Sequence, residues 1–375
     1  MKKLYVLYRL LPAAVFGVMV FGPFAANLFY SNTELLDNRP LKEKPVRFDR
    51  HFSKDYEAYY NDTFAGRKKL VSKYIKLQQK LKIDTGQYFY GDKGWMFYDS
   101  VKVNNGNTMV DYYGEVRFDD DELKAMADGI NKAADFYEAR GAKYMIIVAP
   151  NKEGIYSEYM PERMQKARSS DKSRADMAIE YLKQHTKAVF VHLKDPILEA
   201  KNRFPQRLYF KKDTHWNNIG AYVGIEAIAR ALNNMGYSVP EKALTSAMIK
   251  ESGLQNVDMH PDELEMNYQI GYLSDVETDC AQEKGEKYVF VCQNKGRANG
   301  KKLMVLGDSF AGALMPFLNK AFQQTVNAPA GNKKLSFYED LMARYQPDVV
   351  ADELIERYFS RYVNYERIFS GHYDD

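Results

Sequence analysis

Residues 302–310 read KLMVLGDSF, and this stretch decides the fold. Its apolar run is typical of a buried strand, and Gly307-Asp308-Ser309 ends that strand. A helical pattern follows from about Phe310 to Phe322. Reactive groups of parallel sheets lie beyond the carboxyl ends of the strands, and the backbone N–H of Ser309 would there point at a developing oxyanion. The alternative is that Ser309 is only the N-cap of the helix.

Short apolar runs and helical patterns alternate on both sides of this stretch. The pattern predicts strands at 143–149, 188–193, 303–306 and 348–351, and helices at 119–140, 173–185, 220–235 and 310–322. A hairpin is predicted ahead of them, because residues 91–94 (GDKG) separate two aromatic runs. Strands separated by helices favour an α/β fold with a mostly parallel sheet. Residues 240–300 break the alternation, and we interpret them as an insertion.

A second motif, KDTHWN at residues 212–217, lies just before the predicted helix 220–235. A serine hydroxyl is a poor nucleophile until an imidazole takes its proton, and the imidazole needs a carboxylate to fix its tautomer. Asp213 is two residues from His215, so both side chains can emerge on the same side of an extended loop and meet. The alternative for His215 is a structural histidine stacked on Trp216.

These motifs resemble the SGNH hydrolase-like domain of the alginate O-acetyltransferase proteins AlgJ and AlgX, over roughly residues 45–365. The resemblance rests on DTHW at 213–216 upstream of GDSF at 307–310, on GDKGWMF at 91–97, on APNK at 149–152 followed by IYSEYMP at 155–161, and on DVV at 348–350 with Glu356-Arg357. Ordinary SGNH esterases have the reverse motif order, which does not affect a triad that meets in space. The resemblance implies a three-layer sandwich.

Carried over to this sequence, the resemblance implies Ser309 as nucleophile, His215 as general acid/base and Asp213 as its orienting carboxylate. Asn151 is a candidate oxyanion donor, with a turn asparagine as the alternative. Lys152 and Arg357 either meet an anionic sugar or form ion pairs, and the ion pairs are the preferred interpretation. We expect neither a cofactor nor a metal.

Residues 10–33 contain no charged side chain, and this uncharged segment is long enough for a helix to span a membrane. Lys2, Lys3 and Arg9 precede this segment, so the positive-inside rule predicts a cytoplasmic N-terminus and a periplasmic remainder. The region around Phe24 lacks the small residue of a signal-peptidase site. We therefore expect a single-pass inner-membrane anchor at 1–33, with a cleaved signal peptide as the alternative.

The remaining domain boundaries follow from composition and pattern. We expect a linker and a packing helix at 34–80, the SGNH hydrolase-like domain at 81–365 and a tail at 366–375. Too few residues follow the last predicted helix for the carbohydrate-binding module of AlgX, so the chain looks more like AlgJ. Cys280 and Cys292 suit a disulfide-bridged hairpin in an extracytoplasmic protein, with two free thiols as the alternative. Neither interpretation supports a metal site.

The charge of the chain and its expected membrane topology limit the functions that it can have. With 53 Lys and Arg against 50 Asp and Glu, the chain has no electrostatic footprint for nucleic acid. The resemblance implies transfer of an acetyl group through an acyl-serine to hydroxyls of an exported polysaccharide. Acetyl-CoA is cytoplasmic, so a multispanning carrier of the membrane-bound O-acyltransferase type would hand the acetyl group across. The alternatives are a carbohydrate O-acetylesterase and a non-catalytic subunit of a polysaccharide export complex.

Overall fold

The computed structural model describes residues 2–27, 29–30, 41–81, 83, 86–100, 106–257, 264–286, 288–296 and 299–372. The chain forms two compact units, of which the first contains three helices and the second contains the elements from residue 86 onward. The start of the expected linker, residues 34–40, lies outside the described residues.

The first unit consists of α1 (Lys2–Asn27), α2 (Phe52–Thr63) and α3 (Arg67–Leu81). Residues 10–27 of α1 are long and apolar enough to cross a membrane, and none of their side chains is buried. α2 and α3 replace the single packing helix expected from the sequence. Gly66 lies in the turn between them at φ +79°, a left-handed conformation that is strained for residues other than glycine.

The second unit begins with a hairpin of β1 (Tyr88–Tyr90) and β2 (Met96–Tyr98), as the turn residues predict. The later strands are β3 (Lys143–Ala149), β4 (Val189–His192), β5 (Ile249–Asn256), β6 (Leu264–Ile270), β7 (Thr278–Gln282), β8 (Phe290–Asn294), β9 (Lys302–Gly307), β10 (Gln324–Pro329) and β11 (Val349–Ile355). The later helices are α4 (Thr108–Tyr113), α5 (Asp120–Glu138), α6 (Lys152–Ile155), α7 (Glu162–Lys166), α8 (Arg174–His185), α9 (Lys194–Arg203), α10 (Asn218–Asn234), α11 (Ala311–Ala321), α12 (Leu335–Tyr345) and α13 (Tyr365–Phe369).

A seven-stranded mixed sheet in the order β4-β3-β11-β9-β10-β8-β7 forms the centre of this unit. The strands from β4 to β10 are parallel, and β8 and β7 continue the sheet in antiparallel pairing. The carboxyl ends of β3, β11 and β9 therefore lie at one edge. Parallel strands bring the loops that follow them to that edge, which is where this fold builds its site.

Successive residues of the central strands point to opposite faces of the sheet, and both faces are covered. Met145 and Ile147 pack in one apolar cluster with α9, α10 and α11, whereas Ile146 and Val148 pack in the other with α5, α8, α12 and α13. The fold is therefore a three-layer SGNH-like α/β sandwich with a mixed sheet, and the predicted fold class is confirmed.

Two predicted segments differ from the structure. Within residues 240–300, β7 and β8 extend the central sheet and only β5 and β6 form a separate ribbon, so the expected insertion is partly integral to the fold. Residues 366–372, expected as a tail, include the end of α13. This helix approaches α5 closely because Gly129 has no side chain: a Cβ there would lie 2.5 Å from Glu366 N.

Candidate active site

The turn between β9 and α11 holds Ser309 at the edge of the sheet. Asp308 fixes this turn, because one carboxylate oxygen accepts the Phe310 N–H at 2.8 Å and the other accepts the Ile355 N–H at 2.7 Å. Gly307 permits the sharp bend, since a Cβ there would lie 2.3 Å from the Cβ of the first residue of α11. Ser309 itself is exposed, and its backbone N–H has no hydrogen-bond partner among the described residues.

His215 lies in a loop that is closed at its base by a bridge between Tyr209 and Trp216. The Phe210 N–H donates to the His215 carbonyl at 3.1 Å, which holds the loop narrow. Asn217 then caps α10, as its side chain accepts the first free N–H groups of the helix. The loop therefore has a fixed conformation from its base to the start of α10.

The two loops meet through a chain of short hydrogen bonds. His215 Nε2 lies 2.7 Å from Ser309 Oγ, and His215 Nδ1 lies 2.6 Å from Asp213 Oδ1. The Trp216 indole N–H donates to the Phe310 carbonyl at 3.2 Å and so ties one loop to the other. With its proton on Nδ1, the imidazole can accept the serine proton at Nε2. The three residues singled out by sequence thus have the geometry of a nucleophile, base and orienting carboxylate.

Arg357 lies beside both loops and lines a cleft of about 490 Å³ together with Asp308. Its Nη1 is 3.4 Å from Thr214 Oγ1, and its guanidinium lies 5.9 Å from the Phe310 ring centroid. The side chain is only 5% exposed, its Nε has no hydrogen-bond partner among the described residues, and none of the described carboxylates forms an ion pair with it. The expected ion pair is therefore absent from the described part of the chain. An unpaired buried cation favours the approach of an anion.

Lys152 is buried against the loop that carries His215, and it forms no ion pair with any described carboxylate. Its Nζ donates to the backbone carbonyls of Phe210 and Lys211, each at 3.3 Å, and to that of Asp213. Burial lowers the pKa of Lys152 to about 8. The ammonium group therefore organises the loop that carries Asp213 and His215.

Glu265 supports the same loop from β6. Its carboxylate accepts the N–H groups of Lys211 at 2.8 Å and Lys212 at 2.6 Å. Sequence reasoning missed this residue because it lies in the segment interpreted as an insertion. No local motif marks it.

Asn151 lies in a buried polar cluster, and none of its hydrogen bonds among the described residues is to Ser309. Its Nδ2 is 3.4 Å from Asp111 Oδ2, and its backbone N–H donates to Glu356 Oε2 at 2.9 Å. Among the described residues, the hydrogen bond from Asn151 to Glu356 therefore joins the residues that follow β3 to those that follow β11. These contacts give no support to the expected oxyanion role.

The polar cluster around Asn151 contains more acid than its bases neutralise. Burial, opposed by Arg174, raises the pKa of Asp111 to about 6. Burial together with the charges of Asp176 and Asp111 raises the pKa of Glu356 to about 7. Protons in this cluster are therefore held more tightly than on exposed carboxyl groups.

Three groups in this cluster could in principle ligate a metal. The ligand atoms of Asp176, His192 and Glu356 lie within 4.8 Å of one another. Lys194 already donates to Asp176, and Ser173 already donates to Glu356. The cluster is therefore better described as a hydrogen-bonded ionic network.

We expect Glu356→Gln to stabilise the protein above neutral pH and to have little effect at acidic pH. The pKa of Glu356 is raised by folding from 4.5 to about 7, so its favourable contribution is complete below 4.5 and is lost as pH rises through 7. The neutral amide avoids that loss, for a gain of about 1 to 3 kcal/mol. Thermal unfolding of both proteins from about pH 5 to about pH 9 measures the difference.

The control for this prediction is Glu162→Gln, because the Glu162 side chain is 77% exposed. This variant should follow the pH profile of the unchanged protein. A Glu356→Gln effect of equal size at all pH values would contradict the raised pKa.

The two cysteines lie opposite each other on β7 and β8. Cys280 and Cys292 are register partners in this antiparallel pair and are joined by a disulfide. Of the two sequence interpretations, the structure has the bridged hairpin. The bridge joins the two strands at the far edge of the sheet, which lie two and three strands away from β9.

Comparisons with known proteins agree with this architecture. The structure of Bacillus cereus PatB1 with a sulfonyl adduct is 17% identical, with a TM-score of 0.51, over 73% of this chain and 95% of that chain. A DHHW family protein from Eubacterium siraeum is 14% identical, with a TM-score of 0.50, over 78% of this chain and 98% of that chain. Pseudomonas aeruginosa AlgX is 14% identical, with a TM-score of 0.47, over 78% of this chain and 69% of that chain. At these identities the first two likenesses show the fold alone, and nothing is argued from the third.

The sequence comparisons identify the family. No curated protein matches the sequence. The family model of the SGNH hydrolase-like domain of acetyltransferase AlgX matches residues 89–349, which is more than half of the chain. The resemblance drawn from the motifs is confirmed, and the chain belongs to the family of AlgX-type SGNH hydrolase-like acetyltransferase domains.

Proposed function

We propose that this protein is a membrane-anchored, periplasmic O-acetyltransferase that moves an acetyl group through an acyl-serine to hydroxyls of an exported polysaccharide. The observation that carries the proposal is the hydrogen-bonded chain from Asp213 through His215 to Ser309, at 2.6 and 2.7 Å. These three hydrogen-bonded residues lie in a domain that belongs to an acetyltransferase family. We propose residues 81–365 as the catalytic domain and residues 1–33 as its anchor.

The first half-reaction forms the acyl-serine. His215 Nε2 takes the proton of Ser309 Oγ as that oxygen bonds to the acetyl carbonyl carbon, and Asp213 stabilises the imidazolium. The bond from the carbonyl carbon to the donor's oxygen or sulfur then breaks, and His215 returns the proton to the leaving group. The second half-reaction repeats these steps with a sugar hydroxyl as the nucleophile, which releases Ser309 and leaves the acetyl ester on the sugar.

The tetrahedral intermediate places negative charge on the former carbonyl oxygen. We assign its stabilisation to the Ser309 backbone N–H and to Arg357, which is buried beside both catalytic loops. Fixed donors in a site of low dielectric act most strongly on charge that develops in the transition state. Lys152 serves the reaction indirectly, because its contacts are with the carbonyls of the histidine loop.

The proposed topology limits which acetyl donors can reach the site. With α1 in the inner membrane and the catalytic domain outside, cytoplasmic acetyl-CoA cannot reach Ser309. We therefore propose a multispanning carrier of the membrane-bound O-acyltransferase type as the acetyl donor. The acceptor is the exported polysaccharide, and neither step requires a cofactor.

An acceptor assay tests transfer against hydrolysis, because water and a sugar hydroxyl attack an acyl-serine by the same chemistry. The full chain in detergent is given an activated acetyl ester with and without a hydroxyl-bearing oligosaccharide. Acetylated oligosaccharide formed faster than free acetate supports the transferase. Release of acetate alone, at a rate independent of the oligosaccharide, would instead identify a carbohydrate O-acetylesterase.

A genetic test separates catalysis from assembly. A deletion strain that regains polymer secretion and acetylation with the unchanged protein should regain secretion without acetylation when it carries Ser309→Ala. Full restoration of acetylation by a Ser309→Ala/His215→Ala protein would show a non-catalytic subunit.

A further inference from the structure

The helix α3 has an unusual charge for a surface helix. Its sequence, RKKLVSKYIKLQQKL at residues 67–81, contains six basic residues and no acidic residue. At about 100° per residue, its side chains fall into separate stripes along the helix. These stripes can be compared with the exposure of each side chain.

One stripe of α3 is apolar and faces solvent. It consists of Leu70, Tyr74, Leu77 and Leu81, which are between 52% and 60% exposed. These residues are spaced at i, i+4, i+7 and i+11, the spacing of one helix face. Soluble proteins rarely leave such a continuous apolar face uncovered.

A second stripe borders the first and is wholly basic. Lys69, Lys73, Lys76 and Lys80 are all exposed and are spaced in the same way along the helix. A basic stripe beside an apolar stripe is the pattern of helices that lie in a membrane interface, with the apolar side chains among acyl chains and the lysines among phosphates.

The position of α3 in its unit agrees with this pattern. The side chain of Asn27, at the end of α1, accepts the backbone N–H of Ala65, in the turn that leads into α3. The apolar residues 10–27 of α1 are the only candidate span found in the described part of the chain. The hydrogen bond therefore places the start of α3 next to the end of the segment that enters the membrane.

We propose that α3 lies on the membrane surface and binds anionic lipid head groups through its lysine stripe. This inference rests on α1 as the membrane anchor but not on the acetyltransferase reaction. A lipid surface fits better than a protein partner, because the charge on the exposed stripe is of one sign and the span is adjacent. Binding there holds the chain that leads from the anchor to the catalytic domain close to the bilayer.

Fluorescence in vesicles tests the proposal with the full chain. The two native cysteines are joined to each other, so Leu77→Cys adds a single reactive thiol for an environment-sensitive fluorophore. Glu57→Cys, at an exposed position on α2, is the matched control. Both proteins are reconstituted into phosphatidylcholine vesicles with and without phosphatidylglycerol, and quenching is measured with a spin-labelled lipid and with aqueous iodide.

We expect the fluorophore at position 77 to be quenched by the spin-labelled lipid in the anionic vesicles and protected from iodide, whereas the fluorophore at position 57 shows the reverse. Each lysine near an anionic surface changes partition by about fivefold, so replacing the four lysines of the stripe by glutamine should expose position 77 to iodide. High salt should have the same effect without a mutation, which guards against a variant that does not fold.

Three results would overturn the proposal. Equal access of iodide to positions 57 and 77 in both vesicles would place the apolar stripe in water. Protection that depends on protein density and not on lipid charge would assign the stripe to a second copy of the chain. Alkaline extraction checks the anchor separately: a chain released from the vesicles would overturn both the anchor and this proposal, while acetylation of Ser309 reports independently on the reaction.

Discussion

Replacing Ser309 by alanine is expected to abolish acetylation of the protein by an activated acetyl ester and to reduce acetyl transfer by roughly 10⁴- to 10⁶-fold. The reason is that the hydroxyl 2.7 Å from His215 Nε2 is the group that we propose to be esterified. Mass spectrometry of the intact chain after brief exposure to the ester measures the acyl-enzyme. Peptide mapping locates the acetyl group.

The control is Ser246→Ala, which changes an exposed serine outside the site and should leave the labelling unchanged. His215→Ala should reduce labelling about as strongly as Ser309→Ala, and the double variant should fall no further, because the two residues act as one unit. Equal labelling of Ser309→Ala and the unchanged protein would show that another group is the nucleophile.

Most of the candidate triad could be predicted from sequence because its parts have local signals. An apolar run that ends in Gly-Asp-Ser predicts a strand, a sharp turn and a helix, and the structure has β9, the turn and α11 at those positions. Asp213 and His215 are two residues apart, so their contact depends on one loop. The remaining contact joins two loops, and only the resemblance to the family predicted it, because the loop of His215 connects α9 to α10 and does not follow a strand of the sheet.

The supporting residues could not be predicted because their roles depend on burial. Lysine is rarely buried, so nothing in the sequence indicated that Lys152 would be enclosed and bound to carbonyl oxygens. Strand β11 is longer than predicted because Asp352 and Glu353 interrupt its apolar pattern. Asp352 is tolerated there because Tyr144 and Tyr365 donate hydrogen bonds to it, a network that forms only in the folded protein.

Strand β10 was missed for a related reason. Its sequence, QTVNAP, has no apolar run, and polar and apolar residues alternate over only four positions. It is a strand because β9 pairs with it on one side and β8 on the other. Pairing partners, rather than local propensity, decide such a segment.

Arg357→Gln is expected to slow formation of the acyl-serine by roughly 10²- to 10³-fold, the cost of removing one strong oxyanion donor. A neutral acetyl ester, used without any acceptor, isolates this step. The rate constant at saturation should fall while the half-saturating ester concentration changes little, because the charge that Arg357 meets exists only in the transition state. Arg357→Lys should retain part of the rate, since it keeps a positive charge but not the planar donor pair.

Thermal stability distinguishes this role of Arg357 in the reaction from a purely structural role. Its guanidinium has no ion pair among the described residues, so Arg357→Gln removes a buried cation and should leave thermal stability unchanged or raised. Arg140→Gln is the matched control, because Arg140 also stacks on an aromatic ring, at 3.7 Å from the Phe136 centroid, but follows α5 at the opposite edge of the sheet. If Arg357→Gln acylates normally and loses only the acceptor step, Arg357 contacts the polysaccharide and not the oxyanion. If stability and rate fall together, Arg357 is a packing residue.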